Sequence, residues 1–315
     1  MTEIVYATGM RTRFRGLTVR EGMLLQGAAG WGEFSPFWDY DEPTSLPWLR
    51  ASMEAAEVGW PDPVRDQVPV NCTVPAVGPG RAVEIVRASG GCTTAKVKVA
   101  ERGQSLADDL ARVEAVRDAI GRGGRVRIDV NGAWTVDQAV EAVRAMRSFE
   151  LEYVEQPCAT VEELAEVRRR IDVPVAADES IRRADDPLRV VALAAADIAV
   201  LKVQPLGGVR ACLRIAEQIG LPVVVSSALE SSVGIAAGVA LAAALPELPY
   251  ACGLATVSML EQDVTDAPLL PVDGMLPVRR PEPGTQLPLA DATTQARWER
   301  RLAAVRALIG QDRVS

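Results

Sequence analysis

Ala95-Lys96-Val97-Lys98-Val99 reads as an apolar strand carrying two lysines one residue apart. Side chains alternate along a strand, so Lys96 and Lys98 project from one face while Val97 and Val99 face the other way. Two ammonium groups at that spacing repel, which is expected to lower the pKa of at least one of them. A lysine shifted toward neutrality suits proton abstraction. The alternative is a surface pair that protects a sheet edge. Composition weighs against it: of the 34 lysines and arginines, lysine stands only at Lys96, Lys98 and Lys202. Arginine stays protonated at ordinary pH, whereas lysine can act as a base. The chain therefore uses arginine for plain positive charge and keeps lysine where chemistry is expected.

Strands and helices alternate outward from this stretch. Strands are expected over 68–74, 95–99, 125–130, 151–155, 173–178, 197–202, 221–226 and 248–252, with helices over 80–88, 106–120, 136–149, 161–170, 187–194, 209–219 and 232–245 between them. The strands are runs of valine, alanine and isoleucine, as parallel strands buried on both faces require. Eight such strands predict a (β/α)7β TIM-type barrel over residues 68–267, small for its class. A doubly wound sheet is the alternative, but no GxGxxG follows the first strand. Residues 1–67 read as a smaller α+β capping domain, a three-stranded meander and a helix over 43–59, completed by the segment 268–315 with a last helix over 294–309. The arginine-rich stretch from Arg11 to Arg20, hinged at Gly16, reads as a long loop, its part from Phe14 to Thr18 closing over the barrel mouth.

The 315 residues are 48% hydrophobic, enough for a large core, and the net charge of −8 repels nucleic acid and anionic membranes. No N-terminal signal or membrane span is expected, and five scattered cysteines without metal-type spacing point to a reducing, cytoplasmic setting. Histidine is absent, which removes His triads, His metal sites and His bases. Acid–base work falls to lysine, carboxylate, tyrosine or cysteine.

Functional groups of a (β/α) barrel sit at the C-terminal strand ends. Read in order, these ends carry Lys96 and Lys98, then Asp129, Glu155 and Asp178, then Lys202. Each carboxylate alone reads as a helix N-cap. Three on successive strands, flanked by the three lysines, read as a cluster that would repel itself without a counter-ion. A hard divalent cation such as Mg²⁺ makes it favourable.

The segments Thr94-Ala95-Lys96-Val97-Lys98, Asp129-Val130-Asn131-Gly132-Ala133-Trp134, Tyr153-Val154-Glu155-Gln156-Pro157, Ala177-Asp178-Glu179-Ser180 and Leu201-Lys202 together resemble the enolase superfamily and, within it, the muconate-lactonizing subgroup. The short chain, the strand Gly30-Trp31-Gly32-Glu33-Phe34-Ser35-Pro36-Phe37 and Cys92-Thr93-Thr94-Ala95-Lys96 are similar to its branch that dehydrates a succinylated hydroxycyclohexadiene carboxylate for menaquinone biosynthesis. The resemblance implies one Mg²⁺, with Mn²⁺ as a substitute, held by Asp129, Glu155 and Asp178 beneath a small-molecule carboxylate. It implies Lys98 as the base of a syn dehydration, Lys96 depressing the pKa of Lys98, and Lys202 stabilising the enediolate from the opposite face. The net charge leaves no nucleic-acid or membrane partner expected, and the chain is expected to be a monomer or small homo-oligomer.

Several supporting positions follow from strand parity. Arg127 shares a strand face with Asp129, to orient Lys98 or substrate or else to pair with the carboxylates. Asn131 and Glu179 lie just beyond the expected ligands. Ser226, Ser227 and the backbone at Gly253 and Leu254 end the last two strands and are placed to hold the succinyl group, whereas Ser231 and Ser232 read as helix caps. A racemase of N-succinylamino acids, with Lys98 and Lys202 as one base per face, is the nearest competing activity. A Schiff-base aldolase using Lys202 leaves the carboxylates unexplained, and a non-catalytic scaffold leaves the lysine placement unexplained.

Overall fold

The structure is a computed structural model that describes residues 2–182 and 187–311. Three antiparallel strands, β1 (Glu3–Phe14), β2 (Leu17–Gly27) and β3 (Gly30–Phe34), form the first sheet in the order β1-β2-β3. Helix α1 (Glu42–Met53) follows, its N-cap Asp41 accepting from the Thr44 amide. A single π turn over Glu54–Val58 ends the helical run at Gly59. The short strand β4 (Gln67–Pro69) then leads into the larger unit.

That unit begins with β5 (Cys72–Val74) and α2 (Pro79–Arg87), then β6 (Thr94–Lys98) and α3 (Leu106–Ile120). It continues through β7 (Arg125–Asp129), α4 (Val136–Ala145), β8 (Leu151–Glu155), α5 (Val161–Arg170) and β9 (Val175–Ala177). Two single-turn helices, α6 (Glu179–Arg182) and α7 (Arg189–Ala192), precede β10 (Ile198–Leu201), α8 (Val209–Ile219), β11 (Val223–Val225) and α9 (Ser232–Ala244). Strands β5 to β11 make one sheet in sequence order, and its described pairings are parallel. Capping boxes start α3, α4 and α5, where Ser105, Thr135 and Thr160 exchange hydrogen bonds with Asp108, Gln138 and Glu163.

The structure departs from four expectations drawn from sequence. The expected first barrel strand divides in two: β4 pairs antiparallel with β12 (Met275–Pro277) outside the barrel, and only β5 enters it. The expected strand over 248–252 shrinks to isolated pairings of Cys252 with Val70 and of Gly253 with Ser226, which still close the barrel between its first and last strands. The stretch from Arg11 to Arg20 is no loop. It extends the β1–β2 hairpin, because Arg15 (φ 51°) and Gly16 (φ 78°) form a two-residue turn whose twist matches that of the flanking strands. A register irregularity between Gly9 and Phe14 marks a break in the hairpin's ladder below its tip. The helix expected over 187–194 contracts to the four residues of α7.

The first sheet and α1 share an apolar core with the C-terminal helix α10 (Ala292–Gln311), built on Met23, Leu25, Phe34, Trp48, Leu49, Trp298 and Leu302. Helix α9 lies in the seam between this cap and the barrel and is apolar on all sides, as a helix buried all round must be. Its N-terminus is capped from the cap domain. The Glu33 carboxylate accepts from the amides of Ser231 and Gly234 (both 3.1 Å) and from the hydroxyls of Ser231, Ser35 (2.7 Å) and Tyr6 (2.8 Å). Ser231 thus holds the N-cap position, but its hydroxyl serves Glu33, and the Ser232 hydroxyl accepts from the Leu269 amide instead.

Two measurements test this packing. A Cβ at Gly32 would stand 2.1 Å from the Ser52 carbonyl oxygen of α1, so Gly32→Ala should cost about 2–3 kcal/mol in urea unfolding. Burial, and next the Glu33 charge, push the Glu230 carboxyl up to about 7, with Arg20 the opposing cation. The folded chain then holds a proton that the unfolded chain releases between about pH 4.5 and 7, so this group's contribution to stability is lost as pH rises through that window. The neutral isostere Glu230→Gln should therefore gain on the wild type in urea midpoint between about pH 5 and 8.

Candidate active site at the strand ends

Parallel register brings the charged strand ends together. Lys98 lies opposite Asp129, and Asp129 opposite Glu155, while Asp178 and Lys202 follow β9 and β10 directly. The three carboxylates are at most 1% exposed. Each is held by cations. Lys96 Nζ donates to both oxygens of Glu155 (3.0 and 3.1 Å) and lies 3.3 Å from Asp129 Oδ2. Lys98 Nζ donates to Asp129 Oδ2 (2.5 Å) and Asn131 Oδ1 (2.6 Å), with the Phe14 ring 5.5 Å away. Lys202 Nζ donates to Asp178 Oδ2 (2.6 Å), whose other oxygen accepts from Arg182 Nε (2.8 Å).

These contacts sort the protonation states. Burial is the largest influence on Lys96 and disfavours its charge, but Glu155 and Asp129 outweigh it and hold Lys96 firmly protonated. The expected lowering by lysine–lysine repulsion is not found at Lys96, because two acids lie closer to it in effect than the second ammonium. Burial also opposes charge at Asp129 and Asp178, yet Lys98 and Lys96 at the first, and Arg182 and Lys202 at the second, bring both below the usual carboxylate range. Glu155 goes the other way, to about 7. Its burial and the repulsion from Asp129 exceed what it receives from Lys96, a cation it shares.

The lysines face a cavity of about 770 Å³ that is also lined by Asp129, Asn131, Glu179, Ser226, Ser227 and Gly253. The hairpin tip from Thr12 to Gly16 forms its opposite wall. Glu155 and Asp178 lie beneath this lining. Arg127 stands apart. It donates to Glu152 (2.8 Å), Tyr153 (3.0 Å), Asn71 (3.3 Å) and the Ala251 carbonyl (2.8 Å), deeper in the barrel, and touches neither Lys98 nor the cavity. Leu254 turns into the core against Gly238, so of that pair only Gly253 reaches the cavity.

Two residues of the site went unassigned in sequence. Arg182 bonds Asp178 and Glu179, and the signal for it was its position four residues after Asp178 on one helical turn. Gln156, fully buried, accepts from the amides of Asp178 (3.0 Å) and Ser180 (3.1 Å) and so fixes the turn after β9. No spacing rule singles it out.

As the side chains stand, no three acidic, histidine or cysteine side chains among the described residues are spaced to hold a metal ion. The donor set nevertheless suits one. Three hard oxygen donors occupy neighbouring strand ends, and burial together with repulsion from Asp129 raises Glu155, a load that a cation would relieve.

The chain belongs to the enolase superfamily. Residues 80–292 match the family described as Enolase C-terminal domain-like and residues 5–56 the Enolase N-terminal domain-like family. Members of this superfamily generally use Mg²⁺. A protein named o-succinylbenzoate synthase from Thermobifida fusca is 70% identical over 98% of this chain and 96% of its own length. Another of that name from Mycolicibacterium smegmatis is 56% identical over 97% and 95%. Among solved structures, the L-Ala-D/L-Glu epimerase from Bacillus subtilis superposes with a TM-score of 0.76 at 22% identity, covering 92% of this chain and 98% of that one. This agrees with the barrel-and-cap fold.

The pairing of Lys96 with two buried acids yields a test. Lys96→Met strands Glu155 and Asp129 with one cation fewer and should cost about 3–5 kcal/mol in urea unfolding of metal-free protein at pH 8. The loss should shrink near pH 5, where Glu155 takes up a proton and the missing partner matters less.

Proposed function

We propose that the chain is a divalent-metal-dependent o-succinylbenzoate synthase. It removes water from 2-succinyl-6-hydroxy-2,4-cyclohexadiene-1-carboxylate to give 2-succinylbenzoate, on the route to menaquinone. The observation that carries the chemistry is that Lys98 and Lys202 line one cavity, on strand ends separated by Asp129, Glu155 and Asp178. The substrate assignment is supported by the 70% and 56% identity, over nearly the whole chain, to relatives of that name.

In this reading Asp129, Glu155 and Asp178 hold one Mg²⁺, for which Mn²⁺ can substitute. The bound metal supplies positive charge to the substrate carboxylate and so acidifies the adjacent C–H. Lys98, in its neutral form, takes that proton, and the electron pair left behind spreads onto the carboxylate. The proton then passes from Lys98 to the hydroxyl on the same face; the C–O bond breaks, water leaves, and the ring becomes aromatic. Lys202 remains protonated on the other face, where its ammonium attracts the developing negative charge. Lys96 stays charged beneath them, neutralising Glu155 and Asp129. Asn131 aligns Lys98 through its amide oxygen, and Glu179, which accepts from the Asn131 amide (3.2 Å), aligns Asn131. Ser226, Ser227 and Gly253 hold the succinyl arm, residues 1–67 and 268–315 serve as the cap, and 68–267 as the catalytic barrel. The enzyme works in the cytoplasm as a monomer or small homo-oligomer without nucleic-acid or membrane partners; among the described residues no helix is long and apolar enough to cross a membrane.

Because both lysines face one cavity, a two-base racemisation of N-succinylamino acids is the second reading. Direct assay with the cyclohexadiene substrate separates them: dehydration should be fast with Mg²⁺ and stop with EDTA. Lys98→Ala and Lys202→Ala should each lower kcat by about 10³-fold or more with an unchanged circular dichroism spectrum. Faster α-proton exchange of an N-succinylamino acid than dehydration would reverse the order of the two readings.

A further inference from the structure

The cavity wall formed by Ser226, Ser227, Ala228 and Leu229 is held from outside the barrel. Leu229 has a φ of +66°, a conformation that a leucine rarely adopts unaided. Its carbonyl accepts from Nε of Arg20 (2.9 Å), a buried arginine of β2 in the cap, and the Ala228 carbonyl lies 3.5 Å from Arg20 Nη2. The same Nη2 donates to the carbonyl (2.5 Å) and hydroxyl (2.9 Å) of Ser35. Arg20 is therefore a clamp between the cap strand and the barrel wall. Glu230, 1% exposed, accepts from the Ala228 amide (2.7 Å) with one carboxylate oxygen, while the other has no partner among the described residues. Nothing in the barrel's own strand pairing demands the left-handed turn at Leu229, since β11 ends at Val225.

We propose that Arg20 and Glu230 are positioning residues for substrate recognition: together they hold 226–229 in the strained form that makes it the wall of the cavity. This rests on the dehydratase reading above. The wall lies at the end of β11, on the side assigned to the succinyl arm, a part of the substrate in which no bond changes. Contacts of that kind bind ground state and transition state alike, so their loss raises KM and leaves kcat nearly unchanged. A purely structural clamp would lower stability and leave both constants alone.

The test uses the Mg²⁺-loaded full chain and its variants Arg20→Met, Arg20→Lys and Glu230→Ala. Steady-state dehydration kinetics, affinity for 2-succinylbenzoate and amide hydrogen exchange are measured for each. The expected result is a KM and a product dissociation constant at least about fivefold higher, with kcat within about threefold of wild type. Exchange should quicken over 226–231 while 125–129 stays protected, and Arg20→Lys should lie between wild type and Arg20→Met. If Arg20→Met does not fold, Arg20→Lys and Glu230→Ala decide the matter. Unchanged KM and product affinity would overturn the proposal, whether or not 226–231 loosens. A wild type that fails to dehydrate the cyclohexadiene overturns instead the functional reading on which the proposal rests.

Discussion

Negative charge gathered where water is largely excluded is the constraint on which this molecule turns. Asp129, Glu155 and Asp178 are each at most 1% exposed, and no buried carboxylate is stable there without positive charge close by. The protein meets the demand unevenly. Asp129 and Asp178 have strong partners in Lys98, Lys202 and Arg182, whereas Glu155 shares Lys96 and is left near neutral pH. That concentration of buried negative charge is of the kind a divalent cation relieves. It also explains why Lys96, which burial alone would neutralise, is held charged.

Strand register turns this demand into geometry. Because β6 to β9 are parallel neighbours in sequence order, each charged side chain meets the next at a fixed level of the barrel. Gln156 secures the last of them by binding the backbone after β9 rather than any charged group. The cap completes the chamber in two ways: the hairpin tip covers it, and Glu33 and Arg20 fasten the start of α9 and the segment before it. Cap and barrel are thus joined by hydrogen bonds to main-chain groups, which tie the cap strands to the backbone of the cavity wall.

The fold by itself leaves the reaction open. A barrel of this shape, at 22% identity, serves an epimerase, and two lysines across a carboxylate cluster suit dehydration and racemisation alike. What narrows the reading is likeness along the whole chain to o-succinylbenzoate synthases, which extends to the cap as well as the barrel.

The barrel, the three lysines and the three acids were legible in sequence because periodicity and residue chemistry are local. A valine-rich run is a buried strand wherever it lies, and a lysine kept where arginine would serve marks itself. Arg127 shows the limit: strand parity correctly turned it inward, but depth along the barrel axis is a tertiary quantity, and Arg127 sits among Glu152, Tyr153 and Asn71 instead of at the site. The hairpin at Arg15-Gly16 was written in polar residues that read as loop, since its ladder answers to the cap sheet and not to a hydrophobic pattern. The sequence by itself therefore determined which groups carry charge and on which strand face. Only the tertiary structure decided which of them share a cation, which are silenced by a partner, and which residues distant in the chain hold the cavity wall, because Coulomb energy and desolvation depend on separations in space that no local pattern records.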